Sequence, residues 1–489
     1  MKTILKIFCI ATFTSFLFSC QKTDEFSDDL SGVDLKSANK GAVITVTPNG
    51  VDDTENLKQA FADAAAAGPG TTIKLTEGNF LVNYMEVYNF EGTLVGAGRE
   101  KTIVTLLPGI PMQAQLEVNQ ISAWWRMIGG DITISDMTFL TPDGNLLKEG
   151  DIDPFLGKDL FSMFVFNHYN DFYYHPENPQ NVVINSVNFY GGYDNPDDGN
   201  YWKTDHNVLI AVWVGVDYGW PAEGIDYPLT KGNFVVNDCF FEHVMDGAEG
   251  FSLGENAVMR VSSCRSNNCF TPFYFTANYN SKIIIANNTF FGTNGWCDIQ
   301  IEDNDYGFLF QTEIKPLKRC EYIVYGNTFN STPAIPAIIT NDHWVYLGPE
   351  DRLPMLIDIK NNVFKLEEGS SGIILNNSQD AVIRNNRFTG NCNTGITVNG
   401  FTLLDPDVVP FAQNVLIQGN NFSSLNSTVA NIYLGEKSKD CTVVGSKTDG
   451  NVIDLGVNNK ITGMKKGKPG LMVGPTIVDN HRMIKRVQK

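Results

Sequence analysis

What this 489-residue sequence lacks narrows it quickly. Cysteine is scarce: nine in all, with no C-x-x-C spacing. Cys9 and Cys20 lie in the first twenty residues, and the seven left are odd in number, so neither a disulfide framework nor a zinc site is signalled. Beyond residue 20 no apolar run is long enough to cross a bilayer. Cations are few, with 36 Lys and Arg against 55 Asp and Glu and a net charge of −19. Such a surface repels polyanions, so no nucleic acid is expected as a partner, although bound cations can bridge it to anionic ligands. Long helical periodicity is missing after residue 68. The chain does have 43% apolar residues, enough for a large core.

The N-terminus reads as an address. "MKTILKIFCIATFTSFLFSC" places Lys2 and Lys6 before an apolar run from Ile7 to Phe18, the shape of a secretory signal over residues 1–19. Leu17-Phe18-Ser19-Cys20 resembles a bacterial lipobox, with Phe18 where a small residue is usual. The reading is lipidation at Cys20 and an outer-membrane lipoprotein, so that the membrane is met only through the anchor. A plain secretion signal cut nearby is the alternative. Residues 20–40 are acidic and read as a flexible tether.

One phrase then recurs: "KIIIANNTF" (282–290), "YIVYGNTF" (322–329), "DIKNNVF" (358–364), "AVIRNNRF" (381–388) and "NVLIQGNNF" (414–422). Its last residue forms the series Phe139, Phe189, Phe241, Ser266, Phe290, Phe329, Phe364, Phe388, Phe422, with steps of 50, 52, 25, 24, 39, 35, 24 and 34 residues. A floor near 24 with additions above it is the signature of a solenoid, one unit per coil with loops spliced in. Two residues earlier stand Met137, Val187, Cys239, Cys264, Asn288, Asn327, Asn362, Asn386 and Asn420. Asparagines stacked at the strand spacing of about 4.8 Å donate to one neighbour and accept from the other, satisfying groups that would otherwise be buried unpaired. A second strand precedes each phrase, as in "GFSLGEN" (250–256), "PFYFTAN" (272–278) and "CDIQIED" (297–303), where alternation turns Ile299 and Ile301 inward.

Short strands at this period predict an all-β, right-handed parallel β-helix with three sheets per coil and about nine or more coils. From residue 40 to 460 the pattern resembles the pectin/pectate-lyase-like superfamily. At the front, "DDTENLKQAFADAAAAG" predicts a helix capped at Asp52, Asp53 or Thr54, with Leu57, Ala60, Phe61 and Ala64 on its apolar face and a stop at Gly68. It would cover the open end of the core, and with Gly78-Asn79-Phe80 it resembles the opening of the rhamnogalacturonase/pectate-lyase-3 group. The domain is therefore expected at 41–460, with residues 461–489 a basic tail or second cap.

The later insertions (304–320, 343–354, 401–412) all fall between a front strand and the next phrase, as does 216–232. Two earlier ones, 141–159 and 190–206, fall on the opposite turn. Loops on both sides of one sheet make a groove suited to a linear polymer, so the expected partner is a polysaccharide or oligosaccharide, with the oligomeric state open. Trp213, Tyr274, Trp296 and Trp344 are candidate sugar-stacking residues, alongside Gln300; the competing reading buries each ring under its own loop. Catalytic candidates are Glu302, Asp298, Asp342, Glu249 and His243. Asp298 and Glu302 share one face of a strand but stand about 13 Å apart, too far for a glycosidase pair, so a workable pair must come from adjacent coils, for example Glu302 with Asp342 or Asp298 with Glu249. A lyase would need a base and a cation beside a uronate carboxylate. Asp303 and Asp305 are weak calcium candidates without EF-hand spacing.

The polygalacturonase signatures implied by the resemblance, paired aspartates followed by Gly-His-Gly, are absent, as are the pectate-lyase calcium strand and its arginine stretch. The fold expectation is therefore specific and the activity expectation is not. Hydrolysis with paired carboxylates leads, a cation-dependent lyase follows, and a non-catalytic glycan-binding or adhesion protein stands as the third reading.

Overall fold

The computed structural model describes residues 41–467, apart from 108–121, 144–160, 167–179, 193–207, 216–229, 303–318, 341–354, 401–410, 446–449 and positions 252, 255, 277 and 279. The signal, the tether, Cys20 and the tail after 467 lie outside the described residues.

Each repeated phrase folds as anticipated. Its branched residues form a strand of a second sheet, in which Ile285, Val324, Ile359, Ile383 and Ile417 stand in parallel register from coil to coil. A sharp turn follows, and the phenylalanine is the central residue of a short third-sheet strand such as Thr289–Phe291 or Thr328–Asn330. The chain then turns into the first sheet, whose strands include Val208–Gly215, Val244–Phe251, Thr271–Thr276, Ile299–Ile301, Ile338–Thr340 and Ser371–Asn376. Neighbours in every sheet are parallel, which makes the molecule a right-handed parallel β-helix, with one helix, at its N-terminal end, among the described residues.

The turn explains why the phrase often carries two asparagines. The first of the pair bends the chain: Asn287, Asn361 and Asn385 have φ of 58°, 56° and 54°, the left-handed region that asparagine tolerates better than most residues. Gly326 and Gly419 take that place in the remaining copies, with φ of 67° and 65°. The second asparagine points inward and forms the expected file. Asn362 Nδ2 donates to Asn386 Oδ1 at 3.0 Å and to the Val324 carbonyl at 2.9 Å, while Asn386 Oδ1 also accepts the Asn362 backbone N–H at 2.9 Å. The same bonds recur from Asn288 to Asn327, Asn327 to Asn362, and Asn386 to Asn420. Sulfur continues the file upstream, where Cys239 N–H meets Cys264 Sγ at 3.5 Å.

The phenylalanines stack as well. Phe290, Phe329, Phe364, Phe388 and Phe422 follow at centroid spacings of 4.6–4.9 Å, with ring planes within 19° of parallel. The exception is instructive. Ser266 leaves a gap between Phe241 and Phe290, and Phe273 of the first sheet spans it, edge-on to both at 6.1 and 5.0 Å.

The helix runs from Thr54 to Ala67 and buries Leu57, Ala60, Phe61 and Ala64. Phe61 meets Phe90 and Trp125 edge-on at 5.1 and 6.2 Å, closing that end of the core. Asp53 holds the N-cap position, but its carboxylate accepts Asn49 N–H at 2.8 Å and Leu81 N–H at 3.2 Å, tying the helix to the coil rather than capping it. At the other end Lys460–Thr462 and Lys465–Lys466 still pair with the preceding coil, so the solenoid continues past the expected boundary at 460.

Candidate functional site

The first sheet orders the candidate residues through its register. Trp213 pairs with Glu249, Glu249 with Tyr274, Tyr274 with Gln300, and Gln300 with Ile339. The flanking Val212, Val214, Phe273, Phe275, Ile299 and Ile301 belong to the core, so this file points outward by strand alternation. Glu302 follows two residues after Gln300 and is held by its backbone N–H to the Phe275 carbonyl at 2.9 Å. Gln300 Nε2 donates to Glu302 Oε1 at 2.5 Å. Glu249, Gln300 and Glu302 are all buried, at 3, 4 and 0% exposure, while Tyr274 is half-buried. Charge in such a place is poorly screened by water.

Asp298 does not join them. It precedes the strand, and Thr293 Oγ1 in the preceding turn donates to its carboxylate. The corresponding residues of the neighbouring coils are Gly247, Pro272, Ala337, Gly372 and Gly395, all small. The reason is steric: a Cβ added at Gly247, Gly372 or Gly395 would come within 2.8 Å of Phe241, 2.7 Å of Phe388 or 2.8 Å of Phe422. Asp298 is the charged member of this corner file. Burial pushes its carboxyl up to about 7, against the opposing pull of the Thr293 hydrogen bond.

Three expectations are corrected by this geometry. Asp298 does not pair with Glu249, because its carboxylate is held at the corner by Thr293 and so leaves the outward file, with the strand bearing Tyr274 between the two residues. His243 sits at the turn that enters its strand, six residues or about 20 Å from Glu249, with φ of 56°. Burial lowers its pKa, opposed by Glu242 and Asp143. Trp213 is only 1% exposed and offers no ring face, and Trp296 belongs to the turn ahead of Asp298, where its backbone N–H meets the Phe270 carbonyl at 3.0 Å. Asp342, Trp344, Asp303 and Asp305 lie outside the described residues. Among the described residues no group of three or more His, Cys, Asp and Glu is placed to hold a metal ion.

Sequence reading missed an ion pair at the head of the same outward file, from the buried Arg126 Nη1 to the half-buried Glu86 Oε1 at 2.9 Å. It also missed the role of Thr293. The even spacing of residues 298, 300 and 302 suggested one shared face, and nothing in that spacing marked where the strand begins.

A family model described as "right handed beta helix region" matches residues 353–465. No curated protein matches the chain. Solved structures of similar course include the A-module of the Azotobacter vinelandii mannuronan C-5 epimerase AlgE6, at 16% identity and a TM-score of 0.44 over 86% of this chain and 97% of that one. A family 28 exopolygalacturonase of Yersinia enterocolitica aligns at 12% identity and 0.42 over 88% and 76%. PfbA, a surface adhesin of Streptococcus pneumoniae, aligns at 12% and 0.39 over 83% and 93%. At these identities the likeness concerns the coiled architecture, and no substrate follows from it.

Proposed function

We propose that this chain binds a polysaccharide along its first sheet and cleaves it by hydrolysis, with Glu249 and Glu302 as the carboxyl pair. One observation carries the reading: two buried glutamates flank Tyr274 and Gln300 on the outward file. Two strand spacings and two residues separate their Cα atoms, which is about 12 Å. Glutamate side chains leaning toward each other across that span would put their carboxyl groups in the range of about 6.5–9.5 Å that leaves room for water between them and inverts the anomeric centre. Glu302, oriented by the Gln300 amide, draws the proton from that water. Glu249 donates a proton to the leaving oxygen, and Tyr274 supplies a ring edge and hydroxyl to the sugar between them.

The mature chain, incubated with polygalacturonate, alginate, xylan and α-1,3-glucan, is expected to release reducing ends of inverted configuration from one of them. Glu302→Gln and Glu249→Gln should each slow that release by about 10²-fold or more. Unchanged release by both variants sinks the pair. Products absorbing in the near ultraviolet would replace hydrolysis by elimination. Export and lipidation at Cys20 are part of the same proposal and rest on the N-terminal sequence. Incorporation of labelled palmitate by the wild type but not by Cys20→Ala is the expected result.

A further inference from the structure

The third sheet has an outward face of its own, and its chemistry changes along the axis. One file runs Tyr190, Glu242, Asn267, Phe291, then Asn330 and Lys365; its neighbour runs Phe240, Arg265, Thr289, then Thr328 and Val363. In the later coils these positions hold no ring, so the fold does not require aromatics there. The earlier coils place three. Tyr190 meets Phe240 edge-on at 5.7 Å, and the Arg265 guanidinium lies over Phe240 at 5.6 Å. Asn267 Nδ2 donates to Glu242 Oε1 at 2.5 Å. Phe291 stacks on no ring among the described residues, and Tyr190, Phe240 and Phe291 are half-buried beside the exposed Arg265.

We infer that this face is a second saccharide-binding surface, separate from the first-sheet site, that holds a run of neutral sugar units against Tyr190, Phe240 and Phe291. Three coils separate the Tyr190 and Phe291 positions, about 14 Å, the reach of a short oligosaccharide. A pyranose presents C–H groups on its faces and hydroxyls at its rim. Ring carbons suit the first, and the Arg265 fork, the Glu242 carboxylate and the Asn267 amide suit the second. Arg265 and Glu242, with Arg99 and Glu100 near Tyr190, leave the patch balanced, which favours a neutral glycan over an acidic one. A protein partner would call for a more continuous apolar core than three rings interleaved with Arg265, Glu242 and Asn267. The inference rests on the polysaccharide reading above but not on its carboxyl pair.

The test is retardation of the full mature chain in native gels cast with xylan, α-1,3-glucan, alginate or polygalacturonate. Wild type and Glu302→Gln are expected to be retarded alike by a neutral polymer, and the Phe240→Ala/Phe291→Ala double variant at least tenfold less. That double variant should cleave a soluble oligosaccharide with unchanged kcat/KM, which also shows that it is folded. Asn330→Trp adds a ring one coil further on and should strengthen retardation. Equal retardation of the double variant and wild type overturns the inference, as does retardation of none of them in any gel, or by the acidic polymers alone. Loss of retardation in the double variant, with cleavage unaffected by Glu302→Gln, would leave this surface standing and remove the first-sheet pair.

Discussion

Between Asn288 and Asn420 every coil turns on a buried asparagine amide, whereas between Met137 and Cys264 the same position holds methionine, valine and two cysteines. The two stretches share one backbone path and differ in how the turn is satisfied. An amide at this position is matched by a like neighbour on the next coil, whose oxygen takes both its Nδ2 and its backbone N–H while the adjoining carbonyl takes the other amide hydrogen; at the start of the file the Asn288 oxygen is met by the Cys264 backbone N–H instead. Apolar side chains need only to fill space, and the two thiols make only weak hydrogen bonds with nearby backbone groups. The later coils are therefore bound to their repeat, while the earlier ones are free to diverge. The earlier coils also carry the long connections on both turns, and Tyr190 and Phe240 of the third-sheet face.

Substitutions can break that contrast. Asn362→Ala removes the shared acceptor of Asn327 and leaves the Val324 carbonyl without its amide donor. Chemical denaturation should register a loss of about 4 kcal/mol from several unmet groups. Phe273→Ala opens the place where the ring column crosses from one stretch to the other, and the same measurement should show about 3 kcal/mol. A smaller loss there would mean that Phe241 and Phe290 close the gap by themselves.

Asp298 lies at the corner between first-sheet strand and turn, and its effect depends on pH. It binds a proton more tightly in the fold, with a pKa of about 7, than in the unfolded chain. Its contribution is therefore fully present below about pH 4 and is lost as the pH rises through 7. Asp298→Asn should leave thermal stability unchanged at pH 4 and raise it at pH 8 by up to about 4 kcal/mol. The smallest effect is expected from Cys239→Val, less than about 1.5 kcal/mol, because an apolar file tolerates a side chain of similar volume. A large loss at that position would show that the sulfur-continued file works like the amide file after all.

Much of the fold was legible because the evidence for it repeats. Asn362, Asn386 and Asn420 could be placed in file from their spacing alone, and the helix face Leu57, Ala60, Phe61 and Ala64 from its period. The turn residue Asn361 was present in the phrase but unexplained until its backbone angle was seen. The candidate site was less legible. Glu249 and Glu302 were both named, but as members of other pairs, and Asp298 looked outward until its bond to Thr293 turned it into the corner.

The sequence by itself determined the coil, because a side chain that recurs once per turn can satisfy its own copies, and that condition is written in the spacing. Only the tertiary structure decided which outward residues become neighbours. Connections of unequal length separate the strands, so adjacency across the first sheet is a matter of register, and a residue at a strand's entrance follows the packing of its corner rather than the alternation of its strand.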